Sequence, residues 1–226
     1  MPTLDWLKTE FSYGYDSGDV LSPTADEVRR REEESVGGSY RDLFLQGAVP
    51  HLKPDSVVLE FGPGRGSWTR ALLQYVPQGC VHTVDFQDVR PYLQPEKYAG
   101  RLVCHQVSDN SFSCVEDGAF DFAWSFGVLC HNNLEQIEII LRHMLPKLKP
   151  GACAVHEHAD WEKLERFGWE RGGVPSAFKT QPDNAIWWPR NDQAAMRRTA
   201  ERAGWQVLSA DLGVIQRDSV IVLRRP

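Results

Sequence analysis

The sequence contains no Cys-x-x-Cys pair. Its five cysteines, Cys80, Cys104, Cys114, Cys130 and Cys153, are odd in number and widely spaced. That spacing excludes zinc-knuckle and thioredoxin-type sites. Cys80, Cys104 and Cys153 stand in apolar, strand-like runs, where a thiol serves as a small core side chain. An excess of positive charge is also missing: 25 basic against 31 acidic side chains leave a net charge of −6. General attraction to nucleic acid is therefore not expected. The one dense basic run, Arg29 to Arg31, adjoins Glu32 to Glu34, the pattern of a solvated helix face. No apolar run approaches the ~20 residues that span a bilayer. The segment Met1-Pro-Thr-Leu-Asp-Trp lacks a basic region followed by an apolar one. The expectation is a soluble protein of a reducing, cytoplasmic compartment, without membrane or nucleic-acid partners, as a monomer or homodimer. Internal repeats and low-complexity tracts are absent. So are the Gly-Lys-Ser/Thr of a phosphate-cradling loop and the Tyr-x-x-x-Lys pair of a nicotinamide-dependent reductase.

What is present is enough for one domain with a full core: 226 residues, 42% apolar and 11% aromatic. Residues 1–52 read as an N-terminal helical cap, irregular to 22 and then helical over 24–35 and 39–50. Ser22-Pro23 is the expected cap and first-turn pair. From Lys53-Pro54-Asp55 onward, strands and helices alternate. Strands are expected at 57–61, 81–85, 102–107, 120–125 and 152–157, with helices at 67–76, 91–98 and 133–148. A helix over 191–203 ends at Gly204. Two last strands, 205–212 and 218–224, form an antiparallel hairpin. Five alternating strands imply a parallel, doubly wound α/β sheet with helices on both faces. Residues 158–190 differ from the rest. They hold Trp161, Phe167, Trp169, Phe178, Trp187 and Trp188 among scattered Gly and Pro, and read as an insertion folded over the site.

The densest signal is Val57-Val58-Leu59-Glu60-Phe61-Gly62-Pro63-Gly64-Arg65-Gly66-Ser67-Trp68-Thr69. An apolar strand runs into a loop with Gly at alternate positions, and a helix follows at once. Gly62, Gly64 and Gly66 leave backbone bare where a ligand lies close. A dinucleotide loop would place Gly where Ser67 stands. The Glu-x-Gly-x-Gly-x-Gly arrangement resembles motif I of the class I S-adenosylmethionine-dependent methyltransferases. The resemblance implies a Rossmann-like seven-stranded sheet, mostly parallel with the last strand antiparallel. It also implies S-adenosyl-L-methionine as cofactor and S-adenosyl-L-homocysteine as product.

Ligands of such sheets bind outside the carboxyl ends of the strands. Asp85 of Thr83-Val84-Asp85-Phe86 ends the second strand, where a carboxylate accepts both hydroxyl protons of a ribose; the family uses this position so. After the third strand come Ser108-Asp109-Asn110. The resemblance sets Asp109 against the adenine amine, and the other reading of it is an Asx turn. After the fourth comes Ser125-Phe126-Gly127-Val128-Leu129-Cys130-His131. The family's fourth motif touches the methionine part of the cofactor here. No Asn/Asp-Pro-Pro-Tyr is present, which speaks against methylation of DNA bases. Ser125 stands where catechol-type enzymes carry a magnesium-binding Asp, and the paired glutamates of protein-arginine enzymes are missing. The cofactor site expected from these positions comprises Glu60, Gly62, Gly64, Gly66, Trp68, Asp85, Phe86, Ser108, Asp109, Asn110, Ser125 and Phe126.

Three features are similar to bacterial small-molecule and sugar methyltransferases of glycan and natural-product pathways. They are Trp68 after the glycine loop, Ser125-Phe126 before the step to His131, and the His-rich end of the fifth strand. That end reads Val155-His156-Glu157-His158-Ala159-Asp160. In an extended chain His156, His158 and Asp160 point one way. They read as a metal cluster, as a base with its orienting carboxylate, or as polar residues lining a wet crevice. No metal is expected in the site. An alcohol acceptor needs a proton acceptor, and His131 is the first candidate, followed by His158 and His156. Tyr13, Tyr15, Trp161, Trp187 and Trp188 are expected to wall the acceptor pocket. The expected reaction is methyl transfer to a hydroxyl of a sugar or secondary metabolite. N- or C-methylation of a small metabolite and a non-catalytic cofactor binder are the alternatives.

Overall fold

In the computed structural model residues 16–226 are described. Tyr13 and Tyr15 lie outside them. Helix α1 (Glu27–Val36) and helix α2 (Tyr40–Gly47) come first. The cap of α1 is Asp26, not Ser22: its side chain accepts from the Arg29 N–H, and Gly37 ends the helix in the left-handed region at φ 69°. Ser39 caps α2 in the same way. Then follow β1 (Val57–Phe61), α3 (Ser67–Tyr75), β2 (Cys80–Asp85), the short α4 (Arg90–Leu93), β3 (Leu102–Gln106), β4 (Phe120–Ser125) and α5 (Leu134–Met144). The chain continues through β5 (Leu148–His158), α6 (Trp161–Phe167), α7 (Gln193–Arg202), β6 (Gln206–Ser209) and β7 (Ser219–Arg224). α6, begun by Asp160 as its cap, arises inside the segment 158–190 read as an insertion. α7 ends two residues before Gly204, with Ala203 rather than the glycine as its cap, and Gly204 takes a φ of 96°.

The seven strands form one sheet in the order β3-β2-β1-β4-β5-β7-β6. β1 pairs in parallel with β2 and β4, β2 with β3, and β4 with β5. β7 runs antiparallel to both β5 and β6. The fold is the Rossmann-like, mostly parallel sheet expected from the sequence. Chain order reverses between β1 and β4, which opens a crevice at their carboxyl ends.

Strand alternation divides the core into two layers. Val58, Val81, Phe122, Trp124, Val155 and Val222 face the layer that holds α2 and α3, with Leu43, Phe44, Trp68 and Leu72. Leu59, Val84, Ala123, Ala154, Ile221 and Leu223 face α5 and α7. On α5 the stripe Ile137, Ile140, Leu141 and Met144 has helical spacing and is fully buried. Each such side chain contributes about 1.5–3 kcal/mol of burial. A third cluster, including Cys130, Leu164, Trp169, Phe178, Ile186 and Trp188, lies beyond the carboxyl end of β5. All five cysteines are free thiols. Among the described residues no helix is long and apolar enough to cross a membrane.

Candidate active site

A cavity of about 500 Å³ opens at the carboxyl ends of the strands, within the ~300–1,000 Å³ usual for ligand pockets. Its floor is the loop between β1 and α3. Gly62 takes φ 71° and donates its N–H to the Val84 carbonyl at 3.0 Å. A Cβ there would overlap Val128 Cγ2. Gly64 also has a positive φ, 55°, but nothing stands within 4 Å of where its Cβ would be. The first glycine therefore permits close packing and the second leaves space for a ligand. Gly66 caps α3 and does not line the cavity. Trp68 lines it, packed between Tyr40 at 5.1 Å and Phe126 at 5.0 Å between ring centres.

Glu60 is placed differently from expectation. It is buried beneath the loop, accepts the Thr69 hydroxyl at 2.6 Å, and does not reach the cavity. The reason is the pleat: Glu60 shares the face of Val58, toward α3. Burial pushes its carboxyl up to about 8, against a smaller opposing effect of Thr69. The folded state then holds a proton that the unfolded chain releases, so stability falls as pH rises from about 4.3 to about 8. Thermal melts are expected to show Tm falling across that window, and falling less in Glu60→Gln. An equal fall in both proteins would mean that Glu60 is ionised in the fold.

Asp85 ends β2, is buried, and lines the cavity with Phe86. Its Oδ1 accepts the Gln87 N–H at 2.8 Å, which fixes the carboxylate at the turn. Beyond β3 the expected pair separates. Ser108 and Asp109 are exposed, and Asp109 Oδ1 accepts the Ser111 N–H at 2.8 Å in a local turn. Asn110 lines the cavity instead, and its Oδ1 is buried without a hydrogen-bond partner among the described residues. Ser125 is buried against His156 at 2.7 Å, whereas the next residue, Phe126, forms cavity wall.

The three histidines also separate. His131, in the short turn Leu129–His131, lines the cavity and donates its Nδ1–H to the Trp187 carbonyl at 2.9 Å. That bond places the imidazole lone pair on Nε2. Burial lowers its pKa below the ordinary imidazole value. His156 and His158 are fully buried and do not line the cavity. They share a strand face with Ala154, toward α5 and α7. Burial drives His156 down to about 3, and His158 donates Nδ1–H to the Ala159 carbonyl at 2.9 Å. Asp160 accepts from Ser219 at 2.6 Å and Gln193 at 3.1 Å. The expectation that this face meets the site fails by one residue of register. Glu157, on the opposite face, accepts the N–H of the cavity-lining Gly127 at 2.9 Å. Among the described residues no group of three or more His, Cys, Asp or Glu is arranged to hold a metal ion.

Trp187 and Trp188 line the cavity beside His131, with ring centres 6.0 and 5.2 Å away. Trp161 does not. It stands edge-on to Trp169 at 4.7 Å and donates its indole N–H to the Trp188 carbonyl at 3.2 Å, so it supports the wall from behind. The sequence reading missed Tyr40, Glu32, Asn132, Gly172, Gly173 and Arg217, all of which line the cavity. Glu32 accepts the Ser17 hydroxyl. None of these belongs to a local motif. They arrive from the first helices, the end of the turn after β4 (Asn132), the segment after α6 and the link between the last strands.

Residues 31–210 match the family model described as a methyltransferase domain. No curated protein matches the chain in sequence. A SAM-dependent methyltransferase from Aquifex aeolicus superposes with a TM-score of 0.57 at 15% identity, over 82% of this chain and 93% of that one. Geranyl diphosphate C-methyltransferase from Streptomyces coelicolor A3(2), solved with Mg2+, geranyl diphosphate and S-adenosyl-L-homocysteine, gives 0.62 at 13%, over 92% and 87%. A Pyrococcus horikoshii protein gives 0.64 at 15%, over 96% and 99%. At these identities the likeness is one of fold. The bare glycine loop, the carboxylate ending β2 and a family match over most of the chain agree: the chain belongs to the methyltransferase-domain family and is an S-adenosyl-L-methionine-dependent methyltransferase.

Proposed function

We propose that this enzyme methylates a hydroxyl group of a small molecule, a sugar or secondary metabolite, with His131 as proton acceptor. The observation that carries this reading is the neutral imidazole of His131, held by the Trp187 carbonyl at the cavity wall with its lone pair on Nε2. When bound, the cofactor supplies a sulfonium-activated methyl group, whose charge is lost on transfer. The chain's residues fit its parts. Asp85 would accept the ribose hydroxyl protons. Asn110 Oδ1, a buried acceptor without a partner among the described residues, would take the adenine amine. Gly64 leaves open backbone for the amino-acid tail.

His131 holds the proton released by the acceptor hydroxyl on Nε2. A base whose neutral form persists below pH 7 suits that task. Trp187, Trp188, Gly172, Gly173 and Val174 form the wall that excludes water and orients the acceptor; residues 158–190 are the lid in this reading. Such alignment supplies about 7–11 kcal/mol of the barrier reduction.

The test is methyl-labelled cofactor supplied with a panel of hydroxylated aromatics, hydroxy acids, sugars and amines. Label is expected in an alkali-stable ether. Label on nitrogen or carbon, with none on oxygen, would remove the hydroxyl assignment.

A further inference from the structure

One wall of the cavity carries hydrogen-bond donors for which the described residues offer no acceptor. Arg217, from the link before β7, lines the cavity with its side chain 14% exposed. Its Nε donates to Asp218 Oδ2 at 2.6 Å and its Nη1 to the Gly172 carbonyl at 3.0 Å. Among the described residues Nη2 has no hydrogen-bond partner. The guanidinium lies 4.7 Å over the Trp188 ring, so its plane is fixed by stacking as well as by two hydrogen bonds. Trp188 is 4% exposed, lines the same cavity, and its Nε1–H is buried with no partner among the described residues. A buried indole N–H normally finds an acceptor. Two donors on adjoining residues, one charged, call for a ligand that presents acceptor oxygens.

We infer that the methyl acceptor is a hydroxy acid whose carboxylate binds Arg217 and the indole N–H of Trp188. This rests on the proposed function and names the substrate class for the same site. A single carboxylate fits the charge present, because Arg217 is the one Lys or Arg among the described lining residues. A diphosphate would bring more negative charge than one guanidinium, already shared with Asp218, can balance.

The groups behind Arg217 set how this binding responds to pH. Asp218 and Glu157 are both buried; Asp218 raises the pKa of Glu157 beyond the effect of burial, whereas burial alone raises Asp218, against the lowering effects of Arg217 and of a hydrogen bond with Glu157. Burial and Asp218 push Glu157 up to about 8. The Cys130 thiol, also raised by burial, stays protonated beside them. Lys163 reaches toward Asp218 but pairs with Asp211 at 2.6 Å, and neutral His131 completes the surroundings. With Glu157 protonated and Asp218 ionised, the trio Arg217, Asp218 and Glu157 is neutral overall; the step near pH 8 belongs to Glu157. Above it Glu157 ionises, the trio becomes negative, and an incoming anion is repelled.

The experiment is calorimetric titration of the enzyme, saturated with S-adenosyl-L-homocysteine, with benzoate and with phenol at pH 7 and pH 9. Benzoate is expected to bind at least about tenfold more tightly than phenol at pH 7, the scale of a hydrogen-bonded charge. The preference is expected to shrink at pH 9. Trp188→Phe, which keeps the ring and removes the donor, should weaken benzoate several-fold and leave phenol unchanged. Arg217→Lys should lose most of the preference; should it not fold, Trp188→Phe carries the test alone. Equal binding of benzoate and phenol by the wild type overturns the inference, as does an undiminished preference in Trp188→Phe. A prior titration of the enzyme with S-adenosyl-L-homocysteine separates the two readings. If that compound binds and no carboxylate preference appears, only this inference falls; if it does not bind, the cofactor assignment beneath it falls.

Discussion

Replacing His131 by alanine is expected to lower kcat for a hydroxyl acceptor by about 10²–10⁴-fold, the range for loss of a general base. Affinity for S-adenosyl-L-homocysteine is expected to stay at the wild-type value. The argument rests on one hydrogen bond. With Nδ1–H given to the Trp187 carbonyl, the imidazole cannot present a proton to the acceptor and remain neutral; it presents a lone pair. Burial favours the neutral form and lowers the pKa. The base is therefore competent above a pKa lying below the ordinary ~6.5. In the wild type kcat should rise with pH through that lowered value and then level off, and His131→Ala should lose this limb. Steady-state kinetics from pH 5 to 9, with calorimetry on the same preparations, decide the matter. Wild-type turnover in His131→Ala would remove the base role.

The second large effect is on cofactor binding. Asp85→Ala is expected to weaken S-adenosyl-L-methionine by about 10–100-fold, since one hydrogen bond to a charged group is worth ~1.5–3 kcal/mol. Asp85 also accepts the Gln87 N–H, so alanine removes a turn contact along with the ligand contact. Asp85→Asn keeps an acceptor for that turn while losing the charge, and should fall between wild type and alanine. Calorimetry gives the affinities, and thermal melts of the unliganded proteins report any damage to the turn. Unchanged affinity in Asp85→Ala with an unchanged Tm would place the ribose elsewhere. NAD is expected not to bind the wild type in the same cell.

Local signals made the fold legible. The alternation of short apolar runs with helical stretches is a one-dimensional pattern that implies a parallel, doubly wound sheet, while the order of the strands is visible only in their pairing. Gly62 and Gly64 were readable because their positive φ values demand glycine. Asp85 was readable because it ends an apolar run. Capping was less so: Ser22-Pro23 and Asp26 are both sound helix starts, and only the Arg29 side chain, which bonds the carbonyls of Asp19 and Ser22, pins the preceding turn outside the helix.

The site was legible in part, for a reason that the end of β5 displays. Residues 156, 157 and 158 alternate faces, so the sequence offers two phases and His156/His158 looked richer in chemistry than Glu157. The phase is set by pairing with β4 and β7, which puts His156 opposite Ser125 and Ile221. Asp109 and Asn110 pose the same problem in a loop, and there the local turn claims the aspartate.

The sequence by itself determined the doubly wound sheet, the bare loop after β1 and the acid ending β2, because each is dictated by contacts among neighbours in the chain. Tertiary structure alone decided that Arg217, Trp188 and His131 share one wall. Those residues are brought together only when the link before β7 and the segment after α6 pack against the turn after β4, and no local periodicity encodes a meeting of segments so far apart.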